Sequence, residues 1–440
     1  MEKAFGLHID KNFPFVKDAN VLLGISGGID SVALCHLLAR SDVNFSLAHC
    51  NFRLRGSDSD QDEKFVKSLS KSLNKTLFVK SFNTIHTAEQ EGISIQMAAR
   101  DLRYAWFLQL MSEKKFDYLM TAHHADDNLE TFLINLSRGS GLKGLCGIPE
   151  KENQIIRPLL RFSRLDIENF AIDNKLTWRT DQSNDDQKYL RNQIRKQITP
   201  RLKELHPKFL HSFQTSIDNL KGSQSIVEEK MNEVLKSIVR TDKADSDHLI
   251  RFDLKKLEPY TDQDSYLYEL FYKYGFRNWA DIRSLCKAQS GKQVLSNTHR
   301  LVKHGKDLIL GEILTLTKED SFEISKGQQI LHLDQFQLVF DPKDKPDAKS
   351  TLATFDKDLL RFPLLVRKWK KGDYFYPIGM KGRKKLSKYF KDEKFSLFQK
   401  ENIWLLCSGN DVIWVIGKRI DDRYKITDQT NNIYHIVIQQ

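Results

Sequence analysis

The chain holds only five cysteines in 440 residues, Cys35, Cys50, Cys146, Cys286 and Cys407, odd in number and never in a C-x-x-C pair. That distribution argues against a zinc knuckle or a disulfide framework and for reduced thiols. No stretch approaches the ~18–20 apolar residues of a membrane-spanning helix. The N-terminus, MEKAFGLHIDKNFPF, is charged and lacks the apolar run of a signal peptide. Internal repeats and low-complexity tracts are also missing. The expectation is a soluble cytoplasmic protein with no membrane partner.

What is present begins with size and charge. A chain of 440 residues is too long for one ordinary domain, and two or three are expected. The formal net charge is +11, and twelve Lys/Arg against three acids lie between Arg361 and Lys394, so most of the excess sits in one short piece. A charge run by itself is usually a solvated face. Here aromatics are interleaved (Trp369, Tyr374, Phe375, Tyr376, Tyr389, Phe390), and basic side chains with aromatic faces suit phosphates and unpaired bases.

Along the first ~140 residues, strand and helix patterns alternate. Val21–Ser26, Val43–Cys50, Thr76–Phe82 and Tyr118–His123 read as strands. Helices follow at SVALCHLLAR, at about Ser57–Asn74, at Ser94–Met111 and at about Asp126–Arg138. This predicts an α/β fold with a parallel sheet and helices on both faces, whose ligands bind beyond the C-terminal strand ends. Residues His211–Val239 and Ser265–Gln289 read as mainly helical, and Gln293–Leu310 as two strands around a His-Gly-Lys-Asp turn. Asp341–Ser350 reads as a loop or linker, and a small β-rich region follows it.

Three local patterns carry chemistry. Ser26-Gly27-Gly28-Ile29-Asp30-Ser31 stands where a strand gives way to a helix, so glycines and free helix N–H groups can approach phosphate oxygens. Asp30 can hold a magnesium ion that bridges phosphates. The lysine of a Walker A loop is absent; the loop resembles that of the N-type ATP pyrophosphatases, which split ATP between its α- and β-phosphates. In Thr121–Thr131, Asp127 and Glu130 share a helix face, as do Asp126 and Glu130. They suit magnesium or an ammonium group, although acids are also favoured in any first helical turn. Arg100 and Arg103 share a face of the long helix and suit an anionic substrate, or an ordinary surface salt bridge. Arg138–Gly144 reads as a flexible basic loop. Asp181–Asn184 and Arg191–Arg195 read individually as loop and helix surface.

In this order, and together with His49-Cys50-Asn51-Phe52-Arg53, Arg157–Leu160, Lys384–Lys388 and Trp414–Arg423, these motifs resemble the tRNA(Ile)-lysidine synthases. Phe52 departs from the pattern, since many members carry a second histidine there, while His49 is retained. The resemblance implies an N-terminal Rossmann-like PP-loop ATPase domain over 1–205. A mainly helical tRNA-binding middle domain over 206–335 and a basic tRNA-binding domain over 350–440 would follow. It implies a ligase that adenylylates the 2-oxygen of the wobble cytidine of tRNA(Ile) with a CAU anticodon. The ε-amine of free L-lysine then displaces AMP. By the same carry-over, Ser26–Ser31 and His49 would bind ATP, with Mg2+ on Asp30. Asp127 and Glu130 would capture lysine, and Arg103 would act where lysine and adenylate meet. Lys384, Lys385 and Lys388 would grip the tRNA. Oligomeric state, a homodimer included, stays open.

Two other readings remain. Another pyrophosphatase of this class, a thiolase or a synthetase, lacks its expected C-x-x-C or glutaminase nucleophile here. A non-catalytic RNA-binding protein would not need Asp30, Asp127 and Glu130.

Overall fold

Alternate residues of the first strand face two different cores, and the N-terminal architecture follows from that. The computed structural model describes residues 1–179, 190–206, 208–240, 249–313, 321–333, 336–341 and 351–439, and divides into two compact units, Met1–Glu228 and Glu229–Gln440. In the first unit, helix α1 (Glu2–Asn12) precedes β1 (Val21–Gly24), α2 (Ile29–Ala39), β2 (Phe45–Asn51) and α3 (Ser57–Ser72). After these come β3 (Leu77–Ser81), α4 (Thr84–Glu91), α5 (Ile95–Lys114), β4 (Tyr118–Met120) and α6 (Ala125–Ser137). Val21 and Leu23 pack with Val32, Leu34 and Leu47 on one face of the sheet. Leu22 packs with Ala48, Phe107 and Leu110 on the other, as the two-residue period of a strand covered on both sides requires.

The unit continues through α7 (Leu142–Leu145), β5 (Lys151–Glu152), β6 (Ile155–Ile156), α8 (Arg164–Asp173), α9 (Leu190–Gln193) and α10 (Thr199–Leu205). Helix α7 puts one helical turn inside the segment expected to be a loop. The strand order is β3-β2-β1-β4-β6-β5, parallel except for β5. The order reverses between β1 and β4, and a doubly wound sheet has its binding crevice at that point. Gly24 ends β1 beneath α5, where a Cβ would lie 3.0 Å from the Phe107 ring. Between α9 and α10 the chain runs through a π-helical turn, Ile194–Ile198. Pro200 sits in the first turn of α10, where its missing N–H costs little.

Helix α11 (Phe209–Ile238) leads to the second unit. There β7 (Val239–Arg240), β8 (Ile250–Asp253), α12 (Gln263–Phe271), α13 (Trp279–Lys287), β9 (Gln293–Leu295), β10 (His299–His304) and β11 (Asp307–Glu312) form a helical layer on a five-stranded antiparallel sheet, β7-β8-β11-β10-β9. Only the β10–β11 hairpin of that sheet is legible in the sequence. The β-rich remainder comprises β12 (Ser321–Ile324), β13 (Ile330–Leu333), β14 (Phe336–Phe340), β15 (Thr351–Asp356), β16 (Leu364–Lys368), β17 (Tyr374–Phe375), β18 (Lys384–Lys385), α14 (Leu386–Asp392), α15 (Leu397–Asn402), β19 (Trp404–Ser408), β20 (Asp411–Val415) and β21 (Ile433–Gln439). Its two main sheets run β12-β16-β19-β20 and β13-β14-β21-β15. The expected boundary at 335/350 falls inside these sheets, because β12 pairs with β16 and β14 with β21 across it, and β13 joins the second sheet through β14. Phe398 of α15 is buried against Val302 and Ile309 of the middle sheet, and Gly311 leaves it the space: a Cβ there would lie 2.6 Å from the ring.

Candidate active site

The phosphate loop leaves β1 at the reversal point, and its two serines hold it shut around themselves. Ser31 Oγ donates to the Gly28 carbonyl at 2.9 Å and accepts the Ser26 N–H at 3.2 Å, while Ser26 Oγ accepts the Gly28 N–H at 3.3 Å. Gly27 takes φ +93°, a left-handed conformation natural to glycine, with the Phe65 and Val66 side chains of α3 packed beneath it. Gly28 is the N-cap of α2, so the first N–H groups of that helix are directed at the loop.

Helix α6 starts beyond β4 and brings its acids to the same place. Asp126, Asp127 and Glu130 are all buried, Glu130 to 1% exposure. Each acid has a basic partner. Arg195 Nε donates to Glu130 Oε1 at 2.6 Å and its Nη2 to Oε2 at 3.0 Å, while Arg191 Nε reaches Oε2 at 2.8 Å. The same two guanidiniums reach Asp127 Oδ1 at 3.1 and 3.3 Å. Lys203 pairs with Asp126, and Arg164 Nη1 donates to both oxygens of Asp30 at 2.7 and 2.6 Å. His124, buried at the head of α6, lies 3.4 Å from Asp127 and 3.7 Å from Asp30.

These surroundings separate the two central carboxyls. Burial raises Asp30 above its ordinary range, despite the His124 and Arg164 charges that oppose it. Burial acts in the same direction on Asp127, but there His124, Arg191 and the His124 backbone N–H together outweigh it, and the carboxyl falls below its ordinary range. Burial takes His123 down to about 4, with Asp127 opposing and Arg157, Arg103 and Arg191 assisting. Its imidazole is therefore neutral near pH 7, and it pairs with Thr121 Oγ1 at 2.9 Å.

Two clefts open on this centre. One, of about 640 Å³, is lined by Ser26, Gly28, Ile29, Asp30, Asp127 and Glu130, with Arg55, Arg164, Arg179 and Arg195 around them. The other, of about 260 Å³, is bounded by Phe52, Phe107, Ala122, Arg103, His123 and Arg191. Ser26, Asp30 and Asp127 belong to both. A phosphate loop, buried acids and a ring of guanidiniums are thereby gathered where the sheet order reverses.

The structure brings most of the predicted site residues together and sets others apart. Ser26, Gly28, Ile29, Asp30, Ser31, Arg103, Asp127 and Glu130 line one cleft or both, and Gly27 shapes the loop beneath. His49 lines neither. It is buried on β2, where its Nδ1 bonds the Ile25 carbonyl at 2.9 Å and so supports the strand end that launches the loop. Phe52 stacks on Phe82 at 5.8 Å. In the second unit, Lys385 and Lys388 are exposed, whereas Lys384 is largely covered, paired with Asp392 at 2.8 Å and laid over Tyr389. Phe375, Tyr389 and Phe390 are core residues and do not offer base-stacking faces, and the half-buried Trp369 packs against them. Tyr374 and Tyr376 lie under Arg383 and Arg423.

Sequence reasoning missed Arg164, Arg191, Arg195, Lys203 and His124 as parts of the centre. The Arg191/Arg195 spacing of four was its one usable signal, since it sets both guanidiniums on one helical face. The Asp181–Asn184 motif lies outside the described residues.

The fold and the loop define the class: a PP-loop enzyme that uses ATP. A family model described as PP-loop domain matches residues 1–202, one described as TilS substrate binding domain matches 245–313, and one described as TilS substrate C-terminal domain matches 364–437. The tRNA(Ile)-lysidine synthase of Parabacteroides distasonis is 38% identical over 433 residues, covering 97% of either chain. That of Bacteroides thetaiotaomicron is 36% identical over 435 residues, 98% of either chain, and one from Porphyromonas gingivalis is 37% identical over 434 residues, 93% of this chain and 92% of its own. The chain belongs to the tRNA(Ile)-lysidine synthase family. Among the described residues no helix is long and apolar enough to cross a membrane.

Proposed function

We propose that this chain joins free L-lysine to the wobble cytidine of a CAU-anticodon tRNA(Ile) and converts ATP to AMP and pyrophosphate. The observation that carries this reading is the sharing of Ser26, Asp30 and Asp127 by two adjoining clefts, so that ligands entering from either side meet at one point. The cytidine 2-oxygen attacks the α-phosphorus and pyrophosphate leaves. The ε-amine of lysine, having lost a proton, then attacks C2, and AMP departs with the oxygen.

Ser26–Ser31 orients the phosphates with its backbone N–H groups and hydroxyls. Asp30, within the loop, would offer a carboxylate to a magnesium ion, whose charge would neutralise that of the phosphates. Metal binding there requires Arg164 to leave Asp30. Asp127 and Glu130 hold the lysine ammonium, and Arg103 faces the shared centre from the smaller cleft. Exposed Lys385 and Lys388 contribute to tRNA binding. A tRNA substrate implies a cytoplasmic setting.

The test incubates the purified protein with ATP, radiolabelled lysine and a CAU-anticodon tRNA(Ile) transcript. Label should enter the tRNA, with one AMP formed per lysine added. ATP consumption with no label in the tRNA would mean a different acceptor or a different nucleophile.

A further inference from the structure

The carboxylates assigned to lysine are already taken. Glu130 and Asp127 together accept five hydrogen bonds from the guanidiniums of Arg191 and Arg195 at 2.6–3.3 Å, in a pocket where Glu130 is 1% exposed. Two carboxylates and two guanidiniums balance. An arriving ammonium group would make three cations on two anions at low dielectric, and each of the four carboxylate oxygens already accepts a hydrogen bond, three of them from the guanidiniums and Asp127 Oδ2 from the His124 N–H.

An anion removes the conflict. Arg195 lines the larger cleft with Ser26 and Gly28, and Arg191 lines the smaller one with Ser26 and Ser31, so both share space with the phosphate loop. Guanidinium binds phosphate in the same forked geometry that it uses for carboxylate. The backbone that carries the pair is suited to a shift. Arg195 rides on the π-helical turn Ile194–Ile198, and Arg191 lies about one turn earlier in the same continuous helical run. Such turns recur at functional sites.

We infer that Arg191 and Arg195 are positioning residues that keep the amine pocket closed until phosphate groups draw them off Asp127 and Glu130, so that nucleotide binds before lysine. The inference rests on the lysine reading above. It assigns a role in binding order to two residues that line the clefts and pair with the two acids.

Calorimetric titration of lysine into the full-length protein tests it, with and without magnesium and the non-cleavable analogue α,β-methylene-ATP. Lysine affinity should be at least tenfold higher with the analogue. Arg195→Gln or Arg191→Gln should raise nucleotide-free lysine affinity at least fivefold and shrink the effect of the analogue, while Arg195→Lys, which keeps the charge, retains most of it. A purely structural role for the arginines would leave this coupling unchanged. Equal lysine affinity of the unsubstituted protein in both conditions overturns the inference without recourse to any variant, so a misfolded variant does not decide the matter. Failure of the underlying reading has a different signature: Asp127→Asn and Glu130→Gln then leave lysine affinity of the nucleotide complex unchanged. That removes the pocket the arginines guard, and the inference with it.

Discussion

Arg195 grips Glu130 at two points, Nε to Oε1 at 2.6 Å and Nη2 to Oε2 at 3.0 Å, although 65 residues separate them in the chain. The pair fastens the π-helical turn to α6. Glu130→Gln would leave two guanidiniums facing one remaining carboxylate, Asp127. Removing one partner of a buried pair costs ~3–5 kcal/mol, and the more open position of Arg195 lowers the expectation to ~2–3 kcal/mol. The denaturant midpoint of the substituted protein should fall accordingly, with its m-value unchanged.

Asp30 stands at the head of α2, within the loop, and its side chain pairs with Arg164. Asp30→Asn keeps the shape and removes the charge. Loss of one preorganised electrostatic interaction with the reacting phosphates should slow pyrophosphate release ~10²–10³-fold. Filter-binding affinity for tRNA should stay within about twofold of the unsubstituted protein. A parallel loss of tRNA binding would make Asp30 a folding residue.

Burial lowers His123 to about 4, against 6.5 for an unperturbed imidazole. Between these values the unfolded chain holds a proton that the folded one does not. Folding stability should therefore rise with pH across that window and be lost as pH falls through it. His8, His36 and His49 are also lowered by burial and add to the slope. Chemical denaturation at half-unit steps from pH 4 to 7 should show a shallower slope for His123→Asn.

The basic segment divides by exposure. Lys385→Ala with Lys388→Ala should reduce the magnitude of the log–log salt slope of tRNA binding by about 1.5, at ~0.7–0.9 for each phosphate no longer neutralised. Lys384→Ala should leave that slope nearly unchanged and cost ~0.5–1 kcal/mol of stability, because its ammonium is engaged with Asp392 and Tyr389.

Gly311→Ala places a Cβ 2.6 Å from both Leu249 and the Phe398 ring. Overpacking at a filled position costs ~1–3 kcal/mol. Thermal unfolding should shift down, and Phe398→Leu combined with Gly311→Ala should recover part of the loss.

Local pattern and long-range pairing contributed different parts of this protein. Val21–Gly24, with its two-faced apolar character, and the serine-glycine loop that follows are written within a dozen residues, and both stand where the sequence places them. The acids of α6 are legible for the same reason: a helix brings residues three and four apart onto one face. The pairings of β12 with β16 and of β14 with β21 escape the sequence, because strand partners separated by about 40 to 100 residues leave no local trace.

The amino-acid sequence by itself determined the doubly wound sheet, the phosphate loop at its first strand end and the acidic helix at its fourth. Each depends on side-chain periodicity and turn chemistry within one or two elements. Only the tertiary structure decided that Glu130 and Asp127 face Arg191 and Arg195, that Asp30 faces Arg164 across 134 positions, and that Lys384 is covered while Lys385 is exposed. Those pairings arise from the packing of elements remote in the chain, where burial selects which charges must meet.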